Sequence, residues 1–254
     1  MAIIGLQGLR GGVGTTSVTA ALGWSLQQTG ESVLVVDASP DNLLRLHFNI
    51  DFAHSGGWAR ALLDKSNWHD KAWSYASHLD ILPFGQLTPG ERENFSSLEK
   101  ALGYFSHSLE ELKTSGRYQW ILVDLPYGHD PLTRQLLSQI DNVLTVVKPD
   151  TNCHTRLHQQ TLPQSSQILV NYLLVASQLQ DDIYQVWLQT QRSMIPVVIH
   201  RDEAMAESAA LKQPLGEARP GSLAAQELMT LASWCLLNFS QAKQTGAKNA
   251  GTRE

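Results

Sequence analysis

Short runs of Val, Ile and Leu recur along the chain and alternate with longer stretches of mixed apolar and polar positions. The apolar runs fall at residues 3–7, 32–37, 79–83, 120–124, 142–147, 167–175 and 194–199. Several, such as Val-Leu-Val-Val at 33–36, are continuous rather than alternating. Continuous runs suit strands covered on both faces, as in a parallel sheet. The spacers carry helical patterns at 16–28, 98–114, 131–139, 155–160, 181–191, 203–211 and 223–239. This alternation predicts an α/β fold: a doubly wound, mostly parallel sheet flanked by helices, in one domain over residues 1–240. Residues 241–254 are small and polar and are expected to form a disordered tail.

The first strand runs into a glycine-rich turn that opens the first helix, Leu-Arg-Gly-Gly-Val-Gly-Thr-Thr-Ser at 9–17. Strand, glycine loop, helix is the context of a phosphate-binding loop. Glycines let backbone N–H groups approach phosphate oxygens, and the helix N-terminus adds partial positive charge. Thr16 stands where a loop hydroxyl would meet Mg²⁺. The strict pattern fails twice, with Leu9 at its first glycine and Thr15 at its lysine. A plain strand-to-helix turn is the competing reading of this segment alone. Two further strands end in carboxylates, Asp37 and Asp124. Ligands of such sheets gather at the carboxyl ends of strands, where carboxylates can hold Mg²⁺ directly or through water. Together these three segments favour a nucleotide site.

Composition narrows the classes. Lys and Arg number 19 against 24 Asp and Glu, a net charge of -5, which argues against a DNA-binding surface. Two cysteines, Cys153 and Cys235, exclude a disulfide framework and fit a cytoplasmic setting. The opening residues predict no signal peptide, and no apolar run approaches the roughly 20 residues of a membrane span. Cys153, His154 and His158 could offer metal ligands, but a polar helix start is the preferred reading. Residues 223–239 read as a core or partner-docking helix, because a membrane-lying helix usually carries several Lys or Arg. Trp58, Trp68 and Trp73 lie close together near Arg60 and mark either core or interface.

At this point a family likeness is visible. Arg10-Gly11-Gly12-Val13-Gly14-Thr15-Thr16-Ser17 resembles the deviant phosphate loop of the ParA/MinD family of ATPases. Asp124-Leu125-Pro126-Tyr127-Gly128 resembles that family's D-x-P-x-G motif. Asn171 resembles its adenine-reading asparagine, and Ile195-Pro196, Glu203-Ala204 and Gln213-Pro214 its late I-P, E-A and K-P block. The likeness runs over about residues 1 to 240. The stretches G-L-R-G-G-V-G-T-T and I-H-R-D-E-A-M-A-E resemble a branch of the family that serves bacterial cellulose synthesis.

The resemblance implies ATP and Mg²⁺ as cofactors and a homodimer around two ATP. It also implies other subunits of the cellulose synthase complex as partners, with membrane association only through them and no DNA. The nucleotide-binding residues expected are Leu9, Arg10, Gly11, Gly12, Val13, Gly14, Thr15, Thr16, Ser17, Asp37, Asp124, Asn171 and Pro196. Thr16, Asp37 and Asp124 are the expected Mg²⁺ ligands.

Three positions depart from the family pattern. Thr15 replaces a lysine that would neutralise phosphate charge. Arg10 replaces the lysine that reaches across the dimer, and keeps both charge and a bidentate fork. Ser39 replaces the acidic residue that positions the attacking water. The expected outcome is ATP binding with slow or absent turnover, and no catalytic residue is assigned. The alternative is an active ATPase cycling between monomer and dimer, with Arg10 and Asp41 compensating.

Overall fold

In the computed structural model, which describes residues 1–239, eight strands form one sheet. They are β1 (Ala2–Gly8), β2 (Val33–Asp37), β3 (Trp73–Ala76), β4 (Leu79–Leu82), β5 (Trp120–Leu125), β6 (Asn142–Val147), β7 (Ser166–Leu173) and β8 (Met194–His200). Their order across the sheet is β3-β4-β2-β5-β1-β6-β7-β8, and every pairing is parallel except β3 with β4. The expected tail at 241–254 lies outside the described residues.

The helices are α1 (Thr15–Gln28), α2 (Trp58–Leu63), α3 (Pro89–Glu93), α4 (Phe95–Leu102), α5 (Phe105–Ser115) and α6 (Pro131–Leu137). They continue with α7 (Thr151–Gln159), α8 (Gln178–Thr190), α9 (Glu203–Ala210), α10 (Leu215–Ala218) and α11 (Leu223–Phe239).

The continuous apolar runs do what their composition dictates. Every residue of β1, β2 and β5 is buried. Successive side chains of a strand point to opposite faces. Accordingly Ile3, Leu34 and Val36 enter one apolar cluster while Ile4, Val33 and Val35 enter the other. Helix α1 carries Val18, Leu22 and Leu26 into the second cluster and packs against α11, which buries Leu228, Leu231 and Cys235 there. So 223–239 is a core helix, although Leu223 and Leu237 remain exposed.

Outside β4, which falls on the apolar run at 79–83, residues 44–95 depart from the expected pattern. They hold β3, two short helices and two 3₁₀ turns, Leu44–Phe48 and His69–Lys71, that no long periodic run announces. β3 is short and pairs antiparallel at the sheet edge, where a single partner asks little of its sequence. Residues 98–114 divide into α4 and α5, meeting at Gly103. Trp58 and Trp68 belong to the core: Trp58 is fully buried and stacks on Phe105 with centroids 4.0 Å apart. Trp73 is exposed on β3. Truncating Trp58 to Ala would cost about 3–5 kcal/mol by loss of burial and cavity formation.

Candidate nucleotide site

The carboxyl ends of β1, β2 and β5 meet at one edge of the sheet. There the chain leaves β1 and turns into α1 through two glycines with positive φ, Gly12 at 77° and Gly14 at 85°. Gly14 is the N-cap of α1, has no side chain to fill that role, and is followed by no acidic residue in the first turn. The first N–H groups and the positive end of the helix are therefore left to a ligand. A cleft of about 410 Å³ opens here, lined by Arg10, Gly11, Gly12, Gly14, Thr15 and Thr16 on one side and by Ser39, Asp41, Asp124 and Tyr127 on the other.

The expected residues contribute unequally. Leu9 and Val13 are buried in the core, so they offer the loop backbone rather than side chains. Leu9 fixes the loop's start by donating its N–H to Val146 O at 3.0 Å. Asn171, buried at the end of β7, donates Nδ2 to Val13 O at 2.8 Å and braces the loop from the side. Thr15 has turned back toward β1: a Cβ on Gly8 would stand 2.7 Å from its Oγ1. Ser17 Oγ lies 3.5 Å from His47 Nε2, facing the 44–48 turn. Arg10 is held on its own chain, pairing through Nη2 with Asp150 and donating from Nη1 to Gly11 O at 2.7 Å.

Asp37 and Asp124 are register neighbours on β2 and β5, and both are buried. Asp37 accepts from Ser39 N at 2.9 Å and Leu44 N at 3.0 Å, one bond to each oxygen. Even so, burial pushes its pKa up to about 7. Asp124 has a buried Oδ2 without a hydrogen-bond partner. Its pKa is raised, first by burial and then by Asp37, while the hydroxyls of Thr16 and Thr19 oppose the rise. A buried carboxylate oxygen with no donor is costly unless a cation meets it.

The donor set fits Mg²⁺, which commonly takes one or two carboxylates and completes its shell from phosphate and water. Asp124 and Thr16, which line the cleft, would hold it, and Asp37, the register neighbour of Asp124, keeps a free lone pair on each oxygen beside one backbone N–H. Among the described residues no group of three or more His, Cys, Asp or Glu converges on a protein-only metal cage. His154 is otherwise engaged, accepting from Trp187 Nε1 at 3.1 Å, and Cys153 is buried.

Pro196 is not brought to this cleft. It sits mid-strand on edge strand β8, exposed, inside a register shift between the Ile168–Met194 and Val170–Val198 pairs. Proline lacks the N–H a ladder needs, so an irregular edge position suits it. The end of β8 nearest the site is His200 instead, paired with Leu173 and tied to Glu227. Sequence reading also missed two supports. Gln7, a buried polar residue inside an apolar strand, donates Nε2 to Gly128 O at 2.8 Å and so fixes the 126–128 turn. Its isolation among apolar neighbours was the available signal. Asp150 had none, lying 140 positions from Arg10.

A larger cavity of about 550 Å³ opens at the opposite edge of the sheet, near Glu31, Lys113, Trp120 and Asp141. Its polar groups already pair with one another, Lys113 with Asp141 at 2.5 Å and Trp120 Nε1 with Glu31 at 2.9 Å.

A glycine loop between β1 and α1, with carboxylates closing the neighbouring strands, defines a P-loop nucleotide-binding fold of the ParA/MinD class. Solved structures agree. The MinD protein of Pyrococcus horikoshii OT3, complexed with Mg-ADP, superposes with a TM-score of 0.76 at 21% identity, covering 95% of this chain and 99% of that one. A ParA family ATPase from Chlorobium tepidum TLS gives 0.73 at 20% identity, over 91% and 98% of the two chains. The family is narrower than the fold. Residues 1–236 match the model of the cellulose biosynthesis protein BcsQ. The chain is 64% identical over 238 residues to BcsQ of Salmonella typhimurium, covering 94% of this chain and 95% of that protein. It is 59% identical to BcsQ of Escherichia coli K12, over 96% and 97%. The chain belongs to the BcsQ family of cellulose biosynthesis proteins.

Proposed function

We propose that this chain binds ATP with Mg²⁺ in the cleft at the carboxyl end of the sheet and dimerises around two ATP molecules. The nucleotide acts as a clamp, with slow or absent hydrolysis. In the cell the dimer is a regulatory or scaffold subunit for assembling or localising the cellulose synthesis and secretion machinery. It works in the cytoplasm, at the inner face of the membrane, through other subunits of the cellulose synthase complex. Family membership supports the cellulose role, and no helix among the described residues is long and apolar enough to cross a membrane.

The observation that carries nucleotide binding is the partnerless, buried Oδ2 of Asp124, in a carboxylate that lines the same cleft as the loop glycines and Thr16. Bound Mg²⁺ supplies charge neutralisation between carboxylate and phosphates. The loop N–H groups and the α1 terminus take the phosphate oxygens. Asn171 Nδ2 is committed to Val13 O, which leaves Oδ1 as an acceptor. An acceptor suits the exocyclic amine of adenine and meets the guanine carbonyl unfavourably.

Slow turnover follows from two side chains. Thr15 cannot neutralise phosphate charge, and Ser39 offers a hydroxyl where a water-orienting carboxylate would act. Losing either kind of group commonly costs on the order of 10² in rate. One observation favours the second reading, an active ATPase: Asp41 lines the cleft with Thr16 and Asp124. Calorimetric titration with Mg-ATP, run beside a phosphate-release assay, separates the two. Binding with no phosphate supports the clamp. Release that disappears in Asp41→Ala supports the active enzyme.

A further inference from the structure

We propose that Tyr172 is the stacking platform for the nucleobase and sets the chain's affinity for the nucleoside part of its ligand. This rests on the reading that the cleft takes a nucleotide.

In a regular strand, neighbouring side chains point to opposite faces. Asn171 reaches the glycine loop, with Nδ2 on Val13 O at 2.8 Å, so Tyr172 should point away from it. It does not. A Cβ placed on Gly14 would stand 2.7 Å from Asn171 Nδ2 and 2.8 Å from Tyr172 Cε2. Both side chains therefore crowd the same loop residue. The strand achieves this with an irregularity: register with β8 shifts between Val170 and Leu173, and Tyr172 takes φ 61°. Left-handed backbone is unfavourable for a bulky aromatic residue, and such strain persists where the surroundings impose it.

Core packing does not explain the cost. The ring is half-buried and belongs to neither apolar cluster. It is steadied instead by Lys148, whose Nζ lies 5.7 Å from the ring centroid. The result is a flat π surface beside the last loop glycine, next to an amide whose acceptor is uncommitted. A stacking plane and an acceptor for the base's edge are the two elements that hold a base.

The test uses the full chain with Mg²⁺ and two ligands, ATP and inorganic tripolyphosphate, the second lacking a base. The ring is removed by Tyr172→Asn, since asparagine tolerates positive φ and lets the fold persist. Tyr172→Phe keeps the ring. Tyr172→Asn is expected to weaken ATP about tenfold or more and to leave tripolyphosphate unchanged, while Tyr172→Phe retains wild-type affinity for both. Equal losses for both ligands would mean the ring only props the loop, and no loss for ATP would mean it touches no base. Either result overturns the assignment while the nucleotide reading stands. Wild-type protein that binds neither ligand overturns both.

Discussion

Asp150 holds two groups at once: Oδ1 accepts the Cys153 N–H at 2.8 Å and caps α7, while Oδ2 holds the Arg10 guanidinium. In the proposed two-ATP dimer Arg10 would face the partner's nucleotide; in the free chain its guanidinium is held by Asp150, beside the loop. Dimer formation by Arg10 requires that pair to open. Both side chains are partly exposed, so the pair is worth only about 0.2–1 kcal/mol. Asp150→Asn keeps the α7 cap and removes the countercharge. Two such pairs open per dimer, so this change should lower the protein concentration for ATP-dependent dimerisation roughly two- to thirtyfold, read by sedimentation. Arg10→Ala should abolish the dimer at the same concentrations. A dimer that ignores Arg10→Ala contradicts this role.

Asp124 should trade stability against binding. Its buried oxygen lacks a donor in the ligand-free chain. Asp124→Asn removes an uncompensated charge, so the nucleotide-free variant should melt about 2–4 °C higher, the shift that roughly 1 kcal/mol gives in a domain of this size. Mg-ATP should raise the Tm of the wild type and leave that of the variant unchanged. A variant that keeps that rise would remove Asp124 from the metal site.

His47 gives a test by pH. Burial lowers its pKa from 6.5 to about 4, so the folded chain holds a neutral ring where the unfolded chain would protonate. Fewer protons bound in the folded state means stability that is complete above about pH 6.5 and fades as pH falls toward 4. Asp37, with a raised pKa, pulls the opposite way over the same range. The comparison is therefore wild type against His47→Gln, in which Asp37 is common to both. The stability advantage of wild type, from urea unfolding, should be smaller at pH 5 than at pH 7.5. A constant difference contradicts a neutral His47.

Restoring the missing groups should restore chemistry. Ser39 lines the cleft opposite Thr16 and sits two residues after Asp37. Thr15→Lys combined with Ser39→Asp should raise phosphate release over wild type by on the order of 10²-fold or more, since each positioned group is commonly worth about 10². No gain, with nucleotide still bound, would place the defect elsewhere.

The sheet and the loop were legible because each was written locally. Continuous Val and Ile runs announced the central strands, and the 9–17 turn announced its glycines. Apart from β4, which the run at 79–83 announced, residues 44–95 were not, because β3 is four residues long and the rest are 3₁₀ turns and short helices. Pro196 looked like a site residue from its place in a motif, but the register puts His200 at the strand end. The strands that carry Asp37 and Asp124 could be named from sequence, but not that they lie side by side. The hold of Asp150 on Arg10 spans 140 residues, a relation only folding creates.

The most direct test of the central claim is the identity of the nucleotide in the isolated dimer. The full chain is incubated with Mg²⁺ and ATP for hours, the dimer is collected by size exclusion, and its nucleotide is extracted and chromatographed. Intact ATP, one per chain, with little free phosphate is the expected result. ADP in the dimer, or a dimer that carries no nucleotide, would contradict it.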